Sequence, residues 1–197
     1  MLHALPQIVE FNESTIKNTD ISFLKRYYNK PEHNYLYNDG EHYKLLTYIS
    51  YQFSNIKILD LGAHIGASTL CLGQNVTNEV IGYDTDFHLI DWRNKIPNVH
   101  LKQFDVLYLS KKDIQSTQLI VLDISPHNGV QEEIILDKLL RYRYKGLLFC
   151  DDIIMNKEMI KFWKELPRYK ANLTRYGHHS GSGIVSFNPY NIRFILK

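Results

Sequence analysis

The sequence has little of what would indicate a secreted, membrane-bound or polyanion-binding protein. It contains only two cysteines, Cys71 and Cys150, both in apolar surroundings, so we expect buried thiols in a reducing cytoplasm and no disulfide framework. No apolar run approaches the roughly 20 residues of a membrane span, and the N-terminus lacks the basic and apolar regions of a signal peptide. The net charge of +2 is too small to indicate a nucleic-acid partner. These absences predict a cytoplasmic protein that binds neither membranes nor nucleic acids.

Apolar, strand-like segments alternate with amphipathic, helix-like segments from residue 41 onward. We predict strands at 56–61, 79–83, 99–104, 119–122, 146–150, 171–176 and 183–187, and helices at 41–53, 67–72, 87–94, 130–142 and 155–166. This alternation indicates an α/β fold with a seven-stranded, mostly parallel sheet, a C-terminal antiparallel hairpin and helices on both faces. At 197 residues the chain is expected to form one domain, with irregular residues 1–40 as an extension or lid and 41–197 as the core.

The most informative stretch runs from Lys57 to Thr69, where an apolar strand ends in an acid and a glycine turn leads into a helix. Its pattern is Asp60-x-Gly62-x-x-x-Gly66, which lacks the middle glycine of the G-x-G-x-x-G turn that holds a pyrophosphate. This pattern resembles motif I of the class I S-adenosylmethionine-dependent methyltransferases, whose ligand has no pyrophosphate. The resemblance implies a Rossmann-like methyltransferase fold and S-adenosylmethionine as cofactor.

Four residues of this motif are candidates for contact with the methionine end of the cofactor. Gly62 and Gly66 would let the backbone approach the ligand. Ser68 and neighbouring amides lie at a helix N-terminus, where partial positive charge suits a carboxylate. The carboxylate of Asp60 would either order the loop or reach the ligand's amino group.

Acidic residues also follow the second and third predicted strands. Asp84 lies 24 residues after Asp60, and an acid at that place accepts hydrogen bonds from both ribose hydroxyls. Asp86 is the alternative for this role. Asp105 would accept from the adenine amino group, with Phe104 and Val106 beside the ring. Successive strand ends thus supply candidate contacts for the whole cofactor.

Acids also end the fourth and fifth predicted strands. Asp123 follows residues 119–122, and Asp151 and Asp152 follow residues 146–150. If these strands are neighbours about 4.8 Å apart, the three carboxylates form one cluster that needs a cation. Oxygen ligands suit Mg²⁺, Mn²⁺ or Ca²⁺, and such an ion would orient and acidify an acceptor hydroxyl.

These acids resemble the ligand set of the metal-dependent O-methyltransferases, related to catechol and caffeoyl-CoA enzymes and most similar to the bacterial group that methylates macrolide sugars. The resemblance covers roughly residues 41–187 and implies that Asp123, Asp151 and Asp152 hold the metal beside the reacting hydroxyl. It also implies that His127 is the general base. The chain departs from the usual Asp-x-x-His run, because Pro126 makes the spacing Asp-x-x-x-His.

Several alternatives stay open. Asp151 and Asp152 could instead cap the following helix. His178 or His179, in the turn 177–183, could serve as the base in place of His127, and tyrosines near residue 40 could form a lid. The leading function is O-methylation of a small-molecule acceptor, of sugar or polyphenol type. The competing functions are a non-catalytic binding module of the same fold and aminopropyl transfer of the polyamine-synthase type.

Overall fold

The computed structural model describes residues 8–86, 96–167, 169–188 and 192–197. The strands in these ranges are β1 (Ile8–Phe11), β2 (Lys57–Leu61), β3 (Glu79–Asp84), β4 (Val99–Gln103), β5 (Leu119–Leu122), β6 (Leu147–Asp151), β7 (Lys170–Asn172), β8 (Ser182–Ser186) and β9 (Arg193–Leu196). The α-helices are α1 (Glu13–Lys17), α2 (Tyr43–Tyr51), α3 (Ala67–Leu72), α4 (Lys111–Gln115), α5 (Val130–Arg141) and α6 (Lys157–Glu165). Short 3₁₀ helices span Ser22–Arg26, Pro31–Tyr37, Val106–Tyr108 and Thr174–Tyr176.

Seven strands form one sheet in the order β4-β3-β2-β5-β6-β8-β7. All neighbours pair in parallel except β8, which is antiparallel to both β6 and β7. The predicted seven-stranded, mostly parallel sheet with a C-terminal antiparallel hairpin is confirmed. One predicted boundary is wrong: the strand expected at 171–176 ends at Asn172, because the chain turns into a 3₁₀ helix at Thr174–Tyr176.

Both faces of the sheet are buried, because alternate residues of the central strands enter two different apolar cores. Ile58 packs with residues of α2 and α3 on one face, and Leu59 packs with residues of α4, α5 and α6 on the other. The run Leu119–Leu122 is buried along its whole length, as expected of a strand covered on both sides. The predicted helices on both faces are therefore confirmed.

The N-terminal residues are more ordered than the sequence suggests. β1 pairs in parallel with β9 at the other end of the chain, with Ile8 opposite Arg193. Val9 and Phe11 are fully buried in the core that also contains Leu45. The expectation of an irregular segment is wrong here, because a four-residue strand whose partner lies 185 residues away carries little local signal.

The predicted helices agree with the structure to within about two residues where it describes them. α2 begins at Tyr43, two residues after the predicted start, and α6 begins after Asn156, whose side chain accepts a hydrogen bond from the Met159 amide. The helix predicted at 87–94 lies outside the described residues. Among the described helices, none has the length and apolar character needed to span a bilayer.

Candidate cofactor cleft and catalytic edge

A cavity of about 510 Å³ opens at the carboxyl ends of β2, β3, β4 and β5. The strand order reverses between β2 and β5, and ligands of open α/β sheets bind at such a switch point. The cavity is lined by Gly62, His64, Tyr83, Asp84, Thr85, Phe104, Asp105, Val106, Leu107, Asp123, Ile124, Ser125, His127 and Gln131. Three of the predicted cofactor residues and both predicted catalytic residues are among them.

The glycine loop after β2 requires residues without side chains. Gly62 has a φ of +90°, and a Cβ atom built there would lie 1.8 Å from the backbone oxygen of Asp123. Its amide donates to the carbonyl of Tyr83 at 2.9 Å, which holds the loop against β3. Gly66, with φ +83°, precedes α3. Both glycines thus have a conformational role, while their contact with the cofactor stays a prediction.

Asp60 orders the start of α3 from inside the protein. It is fully buried, and its Oδ2 accepts hydrogen bonds from the hydroxyls of Ser68 at 2.7 Å and Thr69 at 2.5 Å. Burial raises the pKa of Asp60, although the two hydroxyls oppose that shift. Of its two predicted roles, the geometry matches ordering of the loop. The Ser68 hydroxyl donates its hydrogen to Asp60, so only the backbone amide of Ser68 is left to bind the cofactor's carboxylate as predicted.

Asp84 and Asp105 both line the cavity. Oδ2 of Asp84 accepts the amide hydrogen of His64 at 2.7 Å, so this carboxylate also fixes the glycine loop. Oδ1 of Asp105 accepts the amide hydrogen of Leu107 at 2.9 Å, beside an aromatic wall in which the rings of Tyr83 and Phe104 lie 5.6 Å apart. The cleft therefore combines two carboxylates with an apolar surface. Asp86 is not part of the lining.

A carboxylate–imidazole cluster closes one end of the cavity. Asp123, His127 and Asp152 each place one donor atom within 4.8 Å of the others. His127 Nδ1 lies 3.3 Å from Asp152 Oδ2. Loss of hydration and the negative charge of Asp151 raise the pKa of Asp123 to about 8. This concentration of negative charge favours a proton or a cation at the cluster.

Asp151 takes a different position from the other two acids. It is buried, with Oδ2 at 2.8 Å from His42 Nδ1 and 2.9 Å from His178 Nδ1, while Oδ1 accepts from the Ser182 hydroxyl at 2.8 Å. Burial alone would raise the pKa of Asp151, but the two histidines hold it well below its usual range. The three acids that the sequence groups together are thus divided between two clusters.

Two further expectations are settled by these contacts. Neither Asp151 nor Asp152 caps α6, because Asn156 does so. The turn that carries His178 does lie at the ligand edge of the sheet, since His178 reaches Asp151 at the end of β6. His179 is exposed, and its amide donates to the carbonyl of Gly40 at 2.9 Å.

The sequence did not reveal some residues of this edge. His42 lies 109 residues from Asp151 along the chain, so no local spacing predicts their contact. Thr69 is bonded to Asp60 but looks like an ordinary helix residue. Glu132 of α5 is buried with neither carboxylate oxygen hydrogen-bonded among the described residues, and burial raises its pKa. Acidic residues are common in the first turn of a helix, so the sequence gives no sign that Glu132 is buried.

No protein-family model and no curated protein matches the sequence. Solved structures do resemble it. A methyltransferase from Geobacter sulfurreducens shares 13% identity over 72% of this chain and 75% of its own, with a TM-score of 0.55. A protein from Staphylococcus aureus, provisionally named a caffeoyl-CoA O-methyltransferase, shares 14% identity over 85% of this chain and 92% of its own, with a TM-score of 0.59. At these identities the likeness concerns architecture: the chain has the Rossmann-like fold of the class I S-adenosylmethionine-dependent methyltransferases.

Proposed function

We propose that this chain is an S-adenosylmethionine-dependent methyltransferase that methylates a hydroxyl of a small molecule. The main support is the cleft at the switch point of the sheet. There an apolar surface with two carboxylates, which could receive a nucleoside, adjoins an acid–histidine cluster. Its volume of about 510 Å³ lies within the range of small-molecule sites.

The cofactor would lie along the ends of β2, β3 and β4. Asp105 and Phe104 would receive the adenine, and Asp84 would accept hydrogen bonds from the ribose hydroxyls. The glycine loop around Gly62 would receive the methionine moiety. In this placement the transferable methyl group points toward Asp123, at the end of β5.

His127 is the proposed general base. Its Nδ1 faces Asp152, which leaves Nε2 as the atom that accepts the proton of an acceptor hydroxyl. When bound, S-adenosylmethionine would supply the methyl group, which would pass to the hydroxyl oxygen as the carbon–sulfur bond breaks and S-adenosylhomocysteine leaves. Such a transfer depends mainly on positioning, which His127 and the neighbouring acids would supply.

We further propose that a divalent cation binds beside His127. Asp123 and Asp152 supply oxygen ligands beside His127, a set that suits Mg²⁺ or Mn²⁺. When bound, such an ion lowers the pKa of a coordinated hydroxyl. Asp151 is left out of this set, because both its oxygens are engaged by His42, His178 and Ser182.

Isothermal titration of S-adenosylhomocysteine into the full chain tests the proposal. We expect micromolar binding to the wild type and to the control variant Asp86→Ala. Asp84→Ala should bind about 5- to 150-fold more weakly, since it loses hydrogen bonds worth about 1–3 kcal/mol. Absence of binding to folded wild-type protein, or an equal loss in both variants, would overturn the assignment of the cleft.

A further inference from the structure

A second cluster of donor atoms lies beside the Asp123, His127 and Asp152 cluster and has no part in the proposed methyl transfer. It joins His42 at the start of α2, Asp151 at the end of β6, and His178 in the turn before β8. The Nδ1 atoms of both histidines approach the same oxygen, Asp151 Oδ2, at 2.8 and 2.9 Å. His42 and Asp151 are buried, and His178 is partly exposed.

These separations are close to those between ligands of one metal ion. Two ligand atoms that each lie about 2.1 Å from a metal are about 3.4 Å apart at the tetrahedral angle, so an ion would widen the 2.8 and 2.9 Å separations by about 0.5 Å. The other oxygen of Asp151 accepts from Ser182 at 2.8 Å, so an outer hydrogen bond orients the carboxylate with Oδ2 toward the imidazoles. On the far side of the His178 ring, Nε2 lies 3.8 Å from Glu41 Oε2. This distance is too long for a hydrogen bond, but the negative charge of Glu41 adds to the attraction of the cluster for a cation.

One proton cannot serve all the contacts of His178 Nδ1. His178 Nδ1 lies 2.9 Å from Asp151 Oδ2, 3.2 Å from Asp152 Oδ1 and 2.6 Å from Ser180 Oγ. A ring nitrogen carries at most one hydrogen and therefore makes one good hydrogen bond. A single cation, by contrast, attracts several oxygen and nitrogen lone pairs at once.

We propose that His42, Asp151 and His178 bind one divalent transition-metal ion of the Zn²⁺ and Co²⁺ class. Two imidazole nitrogens favour such ions over Mg²⁺ and Ca²⁺, which prefer oxygen ligands. The ion would tie the start of α2 and the turn before β8 to the end of β6. Its ligand set differs from that of the oxygen-bound cation at Asp123 and Asp152, although His178 Nδ1 also lies 3.2 Å from Asp152 Oδ1. Its binding does not depend on the proposed methyl transfer.

The number of metal ions bound per chain tests this proposal directly. The full chain is stripped with EDTA, dialysed against Zn²⁺ in excess Mg²⁺, and analysed by mass spectrometry of the metals. We expect one Zn²⁺ per chain in the wild type and in His179→Ala, which removes an exposed neighbouring imidazole. His178→Ala should bind Zn²⁺ at least about 100-fold more weakly. Wild type without retained Zn²⁺, or an equal loss in both variants, would show that the cluster is held by hydrogen bonds alone.

A Co²⁺ titration of the wild type keeps the test valid if His178→Ala fails to fold. Visible absorption bands of nitrogen-ligated Co²⁺ should appear and saturate at one equivalent, with the bands retained in Asp123→Asn. Loss of the bands in Asp123→Asn would place the ion at the other cluster and overturn the proposal. Titration of S-adenosylhomocysteine into the same samples reports on the cofactor cleft separately, so failure of one proposal is distinguishable from failure of the other.

Discussion

Gly62 is the position at which we expect a single added methyl group to do most harm. Its φ of +90° is strained for any other residue, which costs about 1–3 kcal/mol. The new Cβ would also lie 1.8 Å from the Asp123 backbone oxygen and 2.7 Å from its carbonyl carbon. Because the Cβ would collide with backbone atoms at the end of the neighbouring strand, no side-chain rotation relieves the contact. Displacing the packed backbone adds about 1–3 kcal/mol.

Gly40 provides the matched control. Its φ of +107° is also positive, but a Cβ built there meets no atom within 4 Å. Gly40→Ala therefore carries the backbone strain without the collision. We expect Gly62→Ala to lower the free energy of unfolding by about 1–3 kcal/mol more than Gly40→Ala does.

Urea unfolding with the slope held common to all variants measures this difference, and thermal unfolding should follow at roughly 2–4 °C per kcal/mol for a chain of this size. The displacement at Gly62 should also weaken binding of S-adenosylhomocysteine, since Asp123 and the glycine loop both line the cavity. Equal unfolding free energies for the two variants would refute the close approach of the two strand ends.

Two further substitutions test the supports of the site. Thr69→Val keeps the shape of the side chain but removes the 2.5 Å hydrogen bond to buried Asp60. We expect the free energy of unfolding in urea to fall by about 1–3 kcal/mol. A change below about 0.5 kcal/mol would show that this hydrogen bond does not stabilise the protein. Asn156→Asp retains the oxygen that caps α6 but loses the amide that donates to the His127 carbonyl at 2.8 Å. It should therefore preserve most of the stability while speeding amide hydrogen exchange in residues 124–129, and unchanged exchange there would argue against this support.

The sheet could be predicted because its strands carry strong local signals. Leu119–Leu122 is an unbroken apolar run, and the structure places the strand at those same residues. The acids at strand ends could be located in the same way, because the carboxyl ends of parallel strands share one edge. Asp84, Asp105 and Asp123 accordingly line one cavity.

Contacts between distant segments could not be predicted. The pairing of β1 with β9 joins the two ends of the described chain, and the hydrogen bond of His42 to Asp151 spans 109 residues. The direction in which a side chain leaves the end of a strand also escapes sequence reasoning. Asp151 and Asp152 are adjacent, yet their carboxylates belong to different clusters, and Asp152 has a φ of +59°.

A crystal structure of the full chain with S-adenosylhomocysteine would locate the cofactor directly. We expect the ligand in the cleft at the ends of β2, β3 and β4, with its ribose hydroxyls on Asp84, its adenine beside Phe104 and Asp105, and its sulfur facing Asp123. A ligand bound elsewhere on the chain, or an empty cleft at a saturating concentration, would contradict this placement.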